Sequence, residues 1–483
     1  MERSRNDLQV TERKANQPYW FWGIAGLLLL GLHVALAWLS KGYGVDGSAP
    51  DKLALTLVAV ELGAFGIFWV AVARVSRAPG KGLLIWIIVV GLGLRAAMMF
   101  STPMFEDDYY RYMWDGAVSA EGMSPFRYSP NQLLEGSDQI PDRFRELAEE
   151  GRPTLSRVNH PHLRTIYPPV AQAVFAAAYL VKPWSIPALR LVLFLFDVAT
   201  LLLLMTALRS LGLSLLWIVT YSWNPLVVHE IFNSVHMDVI TLPFALGAVI
   251  LSARGRYLGA SFALALAVGV KLWPVVLLPV VLSPVMKSPK RLIPCLALFC
   301  LVCAGIFLPI HAAGLDEFSG FTAYGRYWEM NDALYMLFSW GVDLFLRAVQ
   351  LDPGFVQIAT RFLVTGILIA WIVWISRRPT DDPALLWERS LLIVAALFLL
   401  SPTQFPWYYL WVAPFLVIRP RPSLLILNGL LSLYYLRFYF EAHNNVAYFD
   451  KGIVWLEFVP VWLLLIREWV KGRSTAEPAS YPG

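Results

Sequence analysis

The stretch "FEDDYYRYMWDG", Phe105 to Gly116, sets Glu106, Asp107 and Asp108 in a row directly after an apolar run, then adds aromatics, Arg111 and Asp115. Neighbouring carboxylates at a water–lipid boundary can have raised pKa values and take a proton from a hydroxyl. Two adjacent acids can instead share a divalent ion with a phosphate. If the chain is helical from Asp108 onward, Asp108, Arg111, Tyr112 and Asp115 share a face, and Asp107 stands one turn from Arg111. The competing reading is structural: acids at a helix N-terminus, favoured by the macrodipole and ion-paired to Arg111, with Tyr and Trp in the interface. The sequence leaves both open.

Four further clusters carry chemistry. "HEIFNSVHMD" holds His229, Glu230, Asn233, His236 and Asp238. Ionisable residues near a membrane span are costly and read first as functional. Their spacing matches no standard zinc pattern, and a polar wall that hydrogen-bonds a sugar or phosphate fits better. Lys271 in "VGVKLWPVV" is either a snorkelling lysine at a helix end or a cation that stabilises a departing phosphate. "GRYWEMNDALY" sets Arg326, Glu329 and Asn331 among Tyr324, Tyr327 and Trp328. Such a loop could stack a sugar ring and anchor an anion, or form an interface belt. "SPTQFPWYYLWVAPF" reads as packing or lipid-tail contact.

These clusters must be positioned by a membrane bundle. The 483 residues are 58% hydrophobic and 15% charged, with mean hydropathy +0.57. Such a chain uses lipid as solvent. Apolar runs long enough to span recur from Trp20 to Val470, which predicts an all-α polytopic transmembrane bundle. No cleavable signal peptide is expected, because the leader Met1–Gln17 is polar and of mixed charge. The net charge of +5 is scattered over loops, which argues against nucleic acid as a partner. Cys295, Cys300 and Cys303 share one apolar segment and read as ordinary membrane-core residues.

Lysine and arginine placement puts the loop with Arg74, Arg77 and Lys81 inside, together with Arg13 and Lys14. Continued along the chain, this predicts about fourteen spans with both termini cytoplasmic. One polytopic domain is expected over residues 1–483, with an outer loop of juxtamembrane helices at 101–166 and a second outer loop at 312–357. Every polar, aromatic-rich cluster then falls on the outer side of the membrane, as one composite site. No internal repeat is evident, whereas a transporter would more often show one, with polar breaks at the bilayer midplane.

In order along the chain, these blocks resemble the GT-C superfamily of integral-membrane glycosyltransferases, which use sugars linked to polyprenyl or dolichyl phosphate. "EDDYYRYMWDG" resembles the acidic motif of the first large outer loop in that superfamily. "EGMSPFRYSP" and "YPPVAQAVF", which begins at Tyr167, resemble elements that follow it in mannosyltransferase-like members. "WNPLVVHEIFNSVHMD", "VKLWPVVLLP", "RYWEMNDALY" and "SPTQFPWYY" resemble later blocks of bacterial polyprenol-phosphate-mannose-dependent enzymes. One departure is that three spans, rather than one, precede the acidic loop.

The resemblance implies transfer of a sugar, mannose first, from a polyprenyl-phosphate donor to an acceptor hydroxyl, with inversion. The acceptor would be a glycan or a lipid, with membrane lipid around the bundle. It implies Asp108 or Asp107 as general base, with Glu106 in the same motif. Arg111, Asp115, Tyr167, His236, Asp238, Lys271, Arg326, Glu329 and Asn331 are then the expected substrate contacts. A divalent cation, magnesium or manganese, stays open as cofactor. The expected location is the bacterial inner membrane, with the site on the outer face. The alternatives are a flippase for a lipid-linked sugar, an O-antigen ligase or polymerase, and a structural scaffold. The first would tolerate loss of a general base, and the second would place its large outer loop late in the chain.

Overall fold

The computed structural model of the protein describes residues 19–43, 50–75, 81–136 and 139–474. Arg13, Lys14 and Arg77, which carry part of the sidedness expectation, lie outside the described residues. The chain is an all-α bundle; among the described residues the one extended pairing is a single bridge between Met330 and Thr403. Backbone N–H and C=O groups in lipid must be satisfied within the segment, and helices do this. Proline opens many of them, at Pro169, Pro225, Pro289, Pro383 and Pro422. At the first helical position its missing N–H costs nothing.

Eight described helices are long and apolar enough to cross a membrane, and nine if Pro225–Phe232 and Met237–Ala253, bent by 102°, form one broken span. The structure therefore does not confirm fourteen spans. The difference lies in apolar runs that fold as short pieces. Pro169–Val181, Tyr257–Val270 and Trp273–Val285 are each under 18 residues. The "FPWYYLWVAPF" run is a 3-10 turn, Pro406–Trp411, followed by Ala413–Ile418, both wholly buried. Apolar character there marks protein interior rather than lipid contact. The three cysteines are free, as read from the sequence.

Three long helices precede the acidic motif: α1 (Tyr19–Ser40), α2 (Pro50–Ala73) and α3 (Lys81–Met99). The motif itself opens α4 (Tyr109–Ala120), which packs on α5 (Pro169–Val181). Gly116 permits this close approach, since a Cβ there would lie 2.5 Å from the Phe175 carbonyl oxygen. The charged piece "DRFRELAEE" forms the expected helix, Asp142–Glu150. It encloses a small core of Trp114, Leu133, Phe144, Leu147 and Leu155. The two long connecting segments meet. The Arg164 N–H donates to the Phe318 carbonyl at 2.8 Å, and the Arg164 guanidinium holds the Ala313 and Gly314 carbonyls and pairs with Asp316.

Deep in the bundle, Arg95 of α3 forms an ion pair with Asp197 of α6 (Ile186–Ser210), both fully buried. Arg95 also donates to the carbonyls of Gly91 and Ser222, and the Tyr221 hydroxyl donates to Asp197 at 2.9 Å. Every strong donor and acceptor there has a partner, which is what makes the charges tolerable. Asp197→Ala is expected to cost roughly 3–5 kcal/mol by leaving Arg95 uncompensated. The double replacement Arg95→Met/Asp197→Leu is expected to recover most of that loss, read as thermal midpoint of the purified protein.

Candidate active site

The acidic motif is held in place before its own side chains come into play. Arg190 donates to the carbonyls of Met99, Ser101 and Asn233. Asn233 binds back, donating to Ser101 Oγ and the Thr102 carbonyl and accepting from the Met104 N–H. Phe105 then takes a left-handed backbone conformation, φ 66°, with its ring stacked on Phe438 at 4.5 Å. A bulky residue there is strained by about 1–3 kcal/mol. His160 and Val235, each beside a residue of the site, share that conformation.

Glu106 is half-buried, its shielded Oε1 has no hydrogen-bond partner, and Tyr434 bonds to its side chain. Burial, reinforced by the charges of Asp108 and Asp107, pushes its carboxyl up to about 8. At neutral pH it is mostly the neutral acid and a poor base. Asp107 is pushed up to about 6 by burial and then by Asp108. The side-chain amide of Asn159 donates to Oδ1 of Asp107 and to Oδ1 of Asp108, each at 2.8 Å. Oδ2 of Asp108 accepts longer bonds from the hydroxyls of Tyr112, 3.3 Å, and Tyr167, 3.2 Å. Burial together with nearby charge holds both tyrosines well above the usual phenol range, so they stay donors.

The structural reading of these acids holds in part, since they do stand at the N-terminus of α4. Asp108 is the N-cap residue of α4 but makes no side-chain cap hydrogen bond. Arg111 forms no ion pair with the aspartates within bonding distance; its guanidinium binds the carbonyls of Asn159, His160 and Leu163. Arg111 thereby fastens the 159–163 segment to α4 and delivers Asn159 to the carboxylates. Asp108 keeps 22% of its side chain exposed, so it reaches solvent at the boundary.

Across from Asp108 lies a second group. Lys271 ends α7 (Tyr257–Val270), and its Nζ bonds Oδ1 of Asp238 at 2.6 Å. Trp411 Nε1 donates to the same oxygen at 2.6 Å. The ammonium lies 4.2 Å above the Tyr408 ring and 5.2 Å from Trp411. Tyr408 in turn bonds Tyr324, which bonds Thr403. His236 stacks on Trp407, with Nδ1 3.9 Å from Oδ2 of Asp108.

The structure thus brings together Asp107, Asp108, Tyr167, His236, Asp238 and Lys271. It does not bring in the other expected contacts. Arg111 serves the backbone, and Asp115 is buried against Gln172. Arg326 is exposed over Tyr327. Glu329 pairs with Arg361, and Asn331 donates to Glu457 and the Gln404 carbonyl. The second loop contributes Tyr324 instead, with Trp328 packed on His160 at 4.6 Å. Asn159, Trp407, Tyr408 and Trp411 were not legible as site residues. Asn159 stands in a loop without periodicity, and the aromatics look like lipid-facing packing. Among the described residues no three His, Cys, Asp or Glu are grouped to hold a metal ion.

An all-α bundle of apolar helices with paired carboxylates agrees with the polytopic glycosyltransferases of the GT-C type that the sequence resembles. Residues 35–287, more than half of the chain, match the family model described as alpha-(1->6)-mannopyranosyltransferase, N-terminal domain, and the chain belongs to that family. It is also similar to alpha-(1->6)-mannopyranosyltransferase A of Mycobacterium tuberculosis (strain ATCC 25618 / H37Rv), 24% identical over 406 residues, which cover 80% of this chain and 73% of that protein. No solved structure matches. The protein is a membrane mannosyltransferase.

A raised carboxyl pKa has a definite sign. The folded state holds the Glu106 proton up to about 8, against 4.5 for the free group. Stability from this residue is therefore full below the free value and falls as pH rises toward 8. Glu106→Gln is expected to flatten the fall in thermal midpoint between pH 5 and 8 and to leave mannose transfer largely intact.

Proposed function

We propose that this mannosyltransferase moves mannose from a polyprenyl-phosphate donor to an acceptor hydroxyl at the outer face of the membrane, with Asp108 as general base. The observation that carries this is the surroundings of Asp108. It is a boundary carboxylate bonded by an amide and two phenols and by no cation, so its negative charge is held but not quenched. Oδ1 is fixed by Asn159 at 2.8 Å, whereas the two phenol contacts to Oδ2 are long, 3.3 and 3.2 Å, and therefore weak enough for an incoming hydroxyl to displace one of them. Asp107 shares Asn159 and fixes the orientation of the pair.

The acceptor oxygen attacks the anomeric carbon while Asp108 takes its proton, and the lipid phosphate leaves from the opposite face with the bonding pair, inverting the centre. Lys271, paired with Asp238 and partly exposed, supports the departing phosphate. Its carboxylate partner Asp238 and the Tyr408 and Trp411 rings keep the ammonium in place between turnovers. The family supports an alpha-(1->6) linkage in the product. Outer-face action is supported by the basic residues Arg74, Arg77 and Lys81, one span ahead of the acidic motif.

The test is transfer from radiolabelled polyprenyl-phosphate mannose in isolated membranes, at matched protein level. Asp108→Asn is expected to lower transfer by about 10²–10⁴-fold. Transfer at the wild-type rate would overturn the assignment. Because Asp107 titrates near 6 and must be ionised to hold Asn159 between the two carboxylates, the wild-type rate is expected to rise with pH through about 6. That limb should be absent from the pH–rate profile of Asp107→Asn.

A further inference from the structure

The transfer step leaves unused the wall where the two long connecting segments meet beside the aspartates. A continuous chain of contacts forms it. Asn159, whose amide bridges Asp107 and Asp108, is followed by His160, which is exposed and left-handed in its backbone at φ 45°. The His160 imidazole meets the Trp328 indole with centroids 4.6 Å apart and planes at 65°. Trp328 lies 5.9 Å from the Tyr324 ring, and the Tyr324 hydroxyl is 2.9 Å from that of Tyr408, whose ring lies 4.2 Å from the Lys271 ammonium. The wall therefore runs from the proposed base to the proposed phosphate contact.

The backbone of Trp328 is anchored. Arg361 donates to its carbonyl at 3.0 Å, and its own N–H reaches the Tyr324 carbonyl at 3.4 Å. Two positions on, Met330 bonds through its N–H to Pro402 and through its carbonyl to Gln404. At the other end of the helix Gly320–Tyr327, a Cβ on Gly320 would lie 2.5 Å from the Arg164 carbonyl oxygen, so the second segment is pressed against the first. An indole fixed this way loses little freedom when a ligand settles on it.

Interface tryptophans sit at headgroup level among lipid. Trp328 is instead half-buried and joined to an imidazole on the segment that carries Asn159. Two rings at 65° form an open corner rather than a closed stack. A flat amphipathic surface of this kind matches the C–H face of a pyranose. The exposed His160, and Arg326 two positions before Trp328, offer hydrogen bonds to its hydroxyls. One residue separates Asn159 at the aspartates from His160, a step of about 3.8 Å along the backbone and on the scale of one sugar ring.

We propose that Trp328 and His160 form an acceptor subsite for a glycan, holding the sugar ring adjacent to the one whose hydroxyl meets Asp108. The inference rests on the reading of Asp108 as base, and it makes the acceptor a chain of sugars rather than a lipid hydroxyl. The pair touches no reacting atom. It sets which acceptor is used and leaves bond-making to the aspartates.

The test measures kcat/KM of the full-length protein with polyprenyl-phosphate mannose as donor and two soluble acceptors, methyl α-mannoside and methyl α-(1->6)-dimannoside. The wild type is expected to prefer the dimannoside by roughly tenfold, the scale of one aromatic contact. Trp328→Ala should remove most of that preference by raising the dimannoside KM, with kcat within about twofold. Trp328→Phe, which keeps a ring, should restore part of it, and His160→Ala should lower it by a smaller step. Trp340→Ala removes an exposed indole that packs on Trp455, and it should keep the preference. Equal use of the two acceptors by the wild type overturns the subsite, even if no variant folds. So does a preference that survives Trp328→Ala, and so does transfer to a native lipid extract with none to either mannoside. Full activity in Asp108→Asn overturns the base assignment instead, since the acceptor ratio does not depend on which group takes the proton.

Discussion

The site depends on where one guanidinium directs its donors. Arg111 sits one turn from two carboxylates, the arrangement in which an ion pair would form and quench them. It binds three backbone carbonyls of the 159–163 segment instead. Bonds from a guanidinium to those carbonyls are charge-assisted and stronger than neutral ones. In binding the carbonyls Arg111 draws Asn159 to the aspartates, and a neutral amide replaces a cation as their principal donor. A carboxylate held this way keeps its basicity.

The same logic separates the three acids of the motif. They are consecutive in sequence, yet they stand in different surroundings. Glu106 goes into the protein and is neutral near pH 7. Asp107 is partly buried and titrates near 6. Asp108 faces the boundary and retains solvent access. Strained backbone at Phe105, His160 and Val235 lies at the edges of this arrangement. The surrounding packing, with Phe105 on Phe438 and Trp328 on His160, holds it there.

The membrane sets the outer limits. Charge inside the bundle survives only where it is matched, as in Arg95 with Asp197 and Lys271 with Asp238. The pair of Lys271 and Asp238 differs in that Lys271 retains 19% side-chain exposure and lies under aromatic rings at the mouth of the site. It is matched at rest and open to an anion. The three helices ahead of the acidic motif add bulk to the bundle and supply groups that pack behind the site, Glu61 among them.

Much of this was written in the sequence. Hydropathy fixes an all-α membrane bundle because lipid admits few other solutions. The row of Glu106, Asp107 and Asp108 at the end of an apolar run marks the site, as do His236, Asp238 and Lys271, because ionisable groups near lipid are costly without use. The helix from Asp108 onward and the helix 142–150 follow from local periodicity and charge. The span count did not, since apolar length alone cannot separate a helix facing lipid from a short piece buried by its neighbours, as at 406–418. Tertiary structure alone decided the partners. Asn159 is more than fifty positions from the aspartates it bridges, and Trp411 is 173 positions from Asp238. Arg111, Asp115 and Arg326 carry the right groups for binding an anion or sugar, yet they are directed elsewhere. Side-chain direction depends on which carbonyls and carboxylates the packed bundle leaves unsatisfied, and no local pattern encodes that.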